Sequence, residues 1–272
     1  MALTYQISGI ILKSSRLREA DRLLTLLSPE RGLMKIIAPG VDKAQSPLRG
    51  RCELFRINQF FLSRGKSLDR ILQVETLGVY SGLTQSVAKL AAGQYLAQIV
   101  LTLAITEQPQ PELYSLLNEH LSRLVALEPE QGFHGPLAQA LFHFLALGGV
   151  APQVYHCCLT QKPIRPNFEH HRWQTGFCCQ QGGLVPLTSL GQDIKTHKLQ
   201  RRLNAIELSL LQHLAGPVLP QPEKILPPQV FKSFRLWDWV RLEHLLRDYA
   251  QYHLGQTFRA AVLVDDLAEL AF

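Results

Sequence analysis

Short runs of alternating or continuous apolar residues fill the first third of the chain, at residues 5–13, 22–27, 33–38, 54–62 and 68–77, and they are rich in Ile, Leu and Phe. A two-residue period over such short windows is what a strand with one buried face requires. Between the runs stand Ser28-Pro29-Glu30-Arg31-Gly32, Pro39-Gly40, Ser46-Pro47 and Arg64-Gly65-Lys66-Ser67, each placing Gly or Pro where the backbone must reverse. Five strands in so short a stretch predict a small closed barrel. The OB-fold is the commonest nucleic-acid binder among such barrels, and an SH3-like barrel is the structural alternative.

From Gly82 the period lengthens. Leu83, Val87, Leu90, Ala91, Tyr95, Ile99 and Leu103 recur at three- and four-residue spacing, the mark of an amphipathic helix. Pro109 and Pro111 open a second helix through Leu127, and Gly135-Pro136 opens a third that ends at Gly148-Gly149, with proline at entry and glycine at exit. Further helices are expected over 204–214 and 228–252. A short, polar, irregular insert at about 151–186 interrupts them. The expected architecture is α+β: residues 1–80 form a five-stranded OB-fold barrel, and residues 81–272 form a mainly α-helical domain that holds the insert.

Charge changes this picture by its placement. Residues 1–80 hold 13 of the 28 Lys/Arg and 7 of the 22 Asp/Glu, so the whole net charge of +6 lies there and residues 81–272 balance to zero. Local positive excess on a barrel is the footprint of a surface that meets phosphate. The N-terminus, MALTYQISGIILKSS, has only a short apolar run broken by Ser8 and Gly9, which predicts neither a signal peptide nor a membrane span and makes a cytoplasmic location the expectation. Five cysteines, four of them in the adjacent pairs Cys157-Cys158 and Cys178-Cys179, make a poor disulfide framework.

The stretch GIILKSSRLREADRLLTLLSPERGLMKIIAPGV, with its EADR step and S-x-E-x-G turn, resembles the N-terminal signature of the RecO family of DNA repair proteins. A second stretch, YAQYHLGQTFRA at 249–260, is similar to the family's Y-x-x-Y-H-L-G segment. The loop in FFLSRGKSLDRILQVE and the helix opening at Gly82 fit the same layout. The resemblance implies an N-terminal OB-fold and a helical domain, with binding and annealing of single-stranded DNA. It also implies a mediator role in recombination, helping to load recombinase onto DNA coated by single-strand binding protein. The partners implied are single-stranded DNA, RecR and the C-terminal tail of the single-strand DNA-binding protein. A protein-binding scaffold of a repair complex, with weak DNA binding, is the alternative.

The DNA-binding candidates are Arg22, Lys35, Lys43, Arg49, Arg51 and Arg56, most of them in a Gly- and Pro-punctuated connection able to wrap phosphates. The equivalent family loop is more basic than GVDKAQSPLRGR, which includes Asp42. Phe55, Phe60 and Phe61 could stack on bases, although one parity must face the core. Lys195, Lys198, Arg201 and Arg202 cluster beside Leu199 and Leu203, a candidate site for an acidic peptide tail. Many members of the family carry two Cys-x-x-Cys zinc knuckles. Here Cys158 is followed three residues later by Gln161 and the paired glycines by Leu184-Val185-Pro186, so the insert is read as a degenerate knuckle packed as a hairpin without metal. Were zinc present, Cys157, Cys158, Cys178 and Cys179 would be its candidate ligands. No Walker loop, dinucleotide fingerprint or zinc-hydrolase motif occurs, Glu19 and Asp21 read as a turn and ion-pair device, and no enzyme activity or further cofactor is expected.

Overall fold

The computed structural model describes residues 3–128, 132–189 and 199–269. It divides into two compact units, one drawn from Met1–Ala126 and Arg259–Phe272 and the other from Leu127–Phe258.

In the first unit, β1 (Thr4–Arg16), β2 (Arg22–Ser28), β3 (Gly32–Ala38), β4 (Arg56–Ser63) and β5 (Asp69–Val79) close into a barrel in the order β1-β2-β3-β5-β4. Closure comes from a short parallel pairing of β3 with β5, Ile36 opposite Asp69 and Ile37 opposite Arg70, which leaves no exposed sheet edge. Alternation along each strand decides what fills the interior: Ile11, Leu24, Leu26, Ile36, Phe60 and Leu62 point inward and are fully buried. Burying one such side chain is worth about 1.5–3 kcal/mol. The five expected strands are all present, within three residues of their expected bounds.

Three helices follow, α1 (Ser81–Thr84), α2 (Val87–Leu103) and α3 (Pro111–Ala126). The pattern beginning at Gly82 is broken once, because extended Ser86 caps α2 by accepting from the Lys89 backbone N–H. That satisfies one of the orphan donors of a first turn. Helix α2 buries Tyr95, Leu96, Ile99 and Val100 because it packs on β1 and also on α3. The β2–β3 turn depends on Gly32, whose φ is +63° and where a Cβ would stand 2.2 Å from the Gln108 carbonyl oxygen. The α2–α3 connection is thereby laid directly on the barrel, with Leu33 N–H donating to Ile105 O at 2.9 Å and Gln110 N–H to Pro29 O at 3.0 Å.

The second unit holds α4 (His134–Leu147), β6 (Gln174–Cys178), β7 (Gly183–Val185), β8 (Arg201–Asn204), α5 (Ala205–His213), α6 (Pro222–Ile225), α7 (Pro228–Phe231) and α8 (Leu236–Leu254). Helix α4 packs against α8. Strands β6 and β7 make the hairpin expected of the insert, and β8 adds to β6 as a third antiparallel strand. The single helix expected over 228–252 is two. Extended Arg235 interrupts it, and its N–H donates to the Asp238 carboxylate at 2.8 Å to start α8 afresh. Helix α9 (Arg259–Glu269), unforeseen in the hydrophobic pattern, belongs to the first unit and packs on α2. No described helix is long and apolar enough to cross a membrane.

Candidate nucleic-acid interface

The outward face of β2 and β3 is flanked by two loops, residues 17–21 joining β1 to β2 and residues 64–68 joining β4 to β5. In OB-fold barrels this face and these two loops form the usual ligand surface. Because Met34 and Ile36 face the core, Lys35 between them points out and is exposed. Lys13 and Lys35 each lie opposite Thr25, one on β1 and one on β3, so the two ammonium groups lie on one face with Thr25 between them. Arg16 and Arg18 stand exposed at the first loop, Arg64 and Lys66 at the second. The result is a stripe of cations from one loop to the other across the barrel.

At its second-loop end the stripe deepens into a pocket of about 370 Å³ that includes Arg31, Lys35, Arg64 and Lys66 in its lining. Three sets of contacts fix its geometry. Asp69 accepts from the Gly65 N–H at 3.0 Å with one oxygen and from the Tyr5 hydroxyl with the other, tying the loop to the barrel end. Arg31 lies over the Tyr5 ring, 4.9 Å from its centroid, a cation–π contact. Ser8 and Ser28 hydroxyls donate to the Glu30 carboxylate at 2.7 and 2.6 Å, bracing the turn that carries Arg31. Burial, and then the hydrogen bond to Asp69, pushes the Tyr5 phenol up to about 12, so Tyr5 remains a donor at neutral pH. Among the described residues, the side chains of Lys35, Arg64 and Lys66 make no hydrogen bond or ion pair.

The expected DNA-binding residues divide accordingly. Lys35 is at the centre of the stripe, and Lys43 is exposed in the connection after β3. Arg22 is held by Asp42, at 2.8 Å from Nε and 2.7 Å from Nη2. The Arg22 hydrogen bond keeps the Asp42 carboxyl below the usual carboxylate range, and the charges of Arg16 and Arg49 work the same way. Arg51 donates to Val74 O at 2.8 Å and Arg56 to Glu53 at 3.0 Å, so both guanidinium groups are already occupied within the barrel. Asp21 accepts from Gly40 N–H at 2.8 Å, the turn-bracing role read for it. Phe55 and Phe60 are core residues. Phe61 instead faces outward in a shallow pocket of about 170 Å³ with Gln6, Gln59, Gln73 and Glu75. Tyr5, Lys13, Arg31, Arg64 and Lys66 were not singled out from sequence; the one available signal was the pair of cations in Arg64-Gly65-Lys66-Ser67, read as a turn and as part of the family layout.

In the second unit, Lys195 and Lys198 lie outside the described residues. Arg201 and Arg202 are on β8, where Arg201 donates to Arg241 O at 2.7 Å and Arg202 is exposed. Cys157 keeps the turn of a zinc knuckle: its Sγ accepts from the N–H groups of Leu159 at 3.4 Å and Thr160 at 3.3 Å. Counted from Cys157 instead of Cys158, the position where a second thiolate would stand is Thr160 rather than Gln161. Cys178 is buried against Val185 and Leu187, with Cys158 beside it. Burial first, then neighbouring thiols, raises Cys158, and burial, with Asp248 and Cys178 adding to it, takes Cys179 up to about 12. Cys178 thus sits as a small hydrophobe among apolar side chains, and the group of potential ligand atoms that converges among the described residues lies elsewhere. His134, Glu243 and His244 bring ligand atoms within 4.8 Å of one another. Glu243 is, however, gripped by both ends of the Arg247 guanidinium, at 3.1 Å from Nε and again from Nη2, so a cation already neutralises it.

Residues 1–80 match the family model described as recombination protein O N terminal, and residues 85–260 match recombination protein O C terminal. The chain is similar to proteins named DNA repair protein RecO. It is 51% identical to that of a Synechocystis species over 272 residues, covering all of both chains. It is 48% identical to that of Gloeothece citriformis over 283 residues, again covering all of both chains. To that of Trichodesmium erythraeum it is 44% identical over 281 residues, covering 97% of this chain and 95% of the relative.

Proposed function

The chain belongs to the RecO family of DNA repair and recombination proteins, and on that footing we propose that it is a mediator that binds single-stranded DNA and anneals complementary strands, working without chemistry of its own. The observation that carries this reading is the stripe of cations between loops 17–21 and 64–68, whose central and second-loop members spend no charge inside the described residues. Such a surface neutralises phosphates, releases counterions and lowers the repulsion between two strands brought together. In this reading the protein helps load recombinase onto DNA coated by single-strand binding protein, with RecR and that protein's C-terminal tail as partners and exposed Arg202 as one contact for the acidic tail.

The test is equilibrium binding of a fluorescent single strand across a salt series. Affinity should fall steeply with salt, by about 0.7 in the log–log slope for each phosphate engaged. No binding at low salt would overturn the reading. The other outcome is a protein-binding scaffold with weak DNA affinity, and the amide-rich depression around Phe61, whose one charged member is Glu75, favours that role for the β1–β4–β5 face.

A further inference from the structure

We propose that the pocket beside loop 64–68 receives a terminal phosphomonoester of a DNA strand, which rests on the single-strand binding reading and adds end recognition to it. A strand lying on the outward face of β2 and β3 reaches this pocket past Lys35. It cannot run on in the same direction, because the α2–α3 connection stands there as a wall: Thr106 and Glu107 line the pocket, and the wall is fixed by the Leu33 and Gln110 backbone hydrogen bonds and by the close approach at Gly32. A groove that ends in a rigid wall suits the end of a strand better than its middle.

Charge points the same way. Arg31, Lys35, Arg64 and Lys66 face two carboxylates in the lining, Asp69 and Glu107, which leaves two net positive charges. A phosphomonoester carries roughly −1.5 to −2 near neutral pH, whereas an internal phosphodiester carries one negative charge. Arg64 and Lys66 are held where they can act together by a loop that tolerates only glycine between them: a Cβ at Gly65 would stand 2.0 Å from the Leu68 carbonyl oxygen. Asp69 keeps the negative charge counted above, with its two oxygens turned to the Tyr5 hydroxyl and the Gly65 N–H.

The experiment compares one oligonucleotide sequence in four forms against the full-length protein: 5′-phosphorylated, 3′-phosphorylated, with hydroxyl at both ends, and circular. A phosphorylated end should bind roughly tenfold tighter than the hydroxyl-ended and circular strands, the gain of about one additional charge-assisted contact. The doubly substituted R64Q/K66Q protein, its thermal unfolding checked against the parent, should bind every form more weakly than the parent and lose the preference, so that the ratio of phosphorylated to circular affinity falls to about one. Equal binding of all four forms overturns end recognition and leaves single-strand binding standing; no binding of any form overturns the underlying reading instead. Thymidine 5′-monophosphate is the remaining arm. If it competes as strongly as the phosphorylated strand, the pocket is a mononucleotide site and the strand-end proposal falls.

Discussion

Two cationic regions of one barrel, built from the same residue types, differ in what their charges are doing. In the connection between β3 and β4 and at its borders, Arg22 is bound by Asp42, Arg51 by a backbone carbonyl and Arg56 by Glu53. Around loop 64–68, Lys35, Arg64 and Lys66 line a pocket with no such partners among the described residues. The first region spends these three cations on holding an irregular connection to the barrel and leaves Lys43 and Arg49 exposed. The second leaves its cations to a ligand. Surface ion pairs add little stability, about 0–1 kcal/mol, but each one subtracts a cation from the field a phosphate meets. A count of basic residues is therefore a poor guide to a binding surface until their partners are known.

The sharpest way to break this contrast is to neutralise each region in turn. Substituting Lys35, Arg64 and Lys66 together by Gln should weaken single-strand binding on the order of 100-fold at low salt and lower the salt slope by about 2. The double variant R51Q/R56Q should stay within about a factor of two of the parent, because both guanidinium groups are already engaged. Titrations of a labelled strand read both. Were the two variants to rank the other way, the connection after β3 and not loop 64–68 would be the DNA surface.

A second change tests whether geometry matters beside charge. Gly65→Ala keeps every cation yet forces a Cβ against the Leu68 carbonyl oxygen, so the loop must shift and carry Arg64 and Lys66 with it. Roughly tenfold weaker binding is expected, with a stability loss of about 1–3 kcal/mol readable by denaturant unfolding. An unchanged affinity would mean that loop 64–68 contributes only diffuse charge.

The same contrast explains what was legible in the sequence. Alternation placed all five strands, and it also exposed Lys35, which lies between Met34 and Ile36 and must face out if they face in. Local patterns also marked helix starts such as Pro111. What they could not carry was closure. Loop 64–68 becomes part of a site only when β5 pairs with β3 across more than thirty residues of chain, and the Arg-Gly-Lys-Ser run looks like any turn before that pairing is known. The engagement of Arg51 is equally non-local, since its acceptor is Val74 O. In the second unit the broken cysteine spacing was readable, but the surviving knuckle turn at Cys157, with Thr160 where a ligand would be, is a fact of backbone hydrogen bonds. The helix expected across 228–252 failed for a local reason that side-chain pattern conceals: Arg235 is extended and Asp238 caps a new start.

A smaller effect, and a gain where the others are losses, concerns Asp42, the carboxylate that separates the two regions in kind. Asp42→Asn releases Arg22 and removes a negative charge near Arg16 and Arg49, so the first region should begin to resemble the second, with single-strand affinity rising about threefold at low salt and the gain fading as salt screens it. Mild acid should not reproduce this. A carboxyl held below its ordinary range in the folded protein contributes stability that is present above the ordinary carboxylate pKa and lost only as pH falls through the lowered value. Between about pH 8 and pH 5, above the ordinary Asp range, Asp42 therefore stays ionised and paired with Arg22. The ratio of affinities between the Asn variant and the parent, measured at fixed ionic strength, should accordingly stay constant over that interval. A ratio that collapses toward one at the acid end would mean that Asp42 takes up its proton in that window, and that Arg22 is as available to DNA as Lys35.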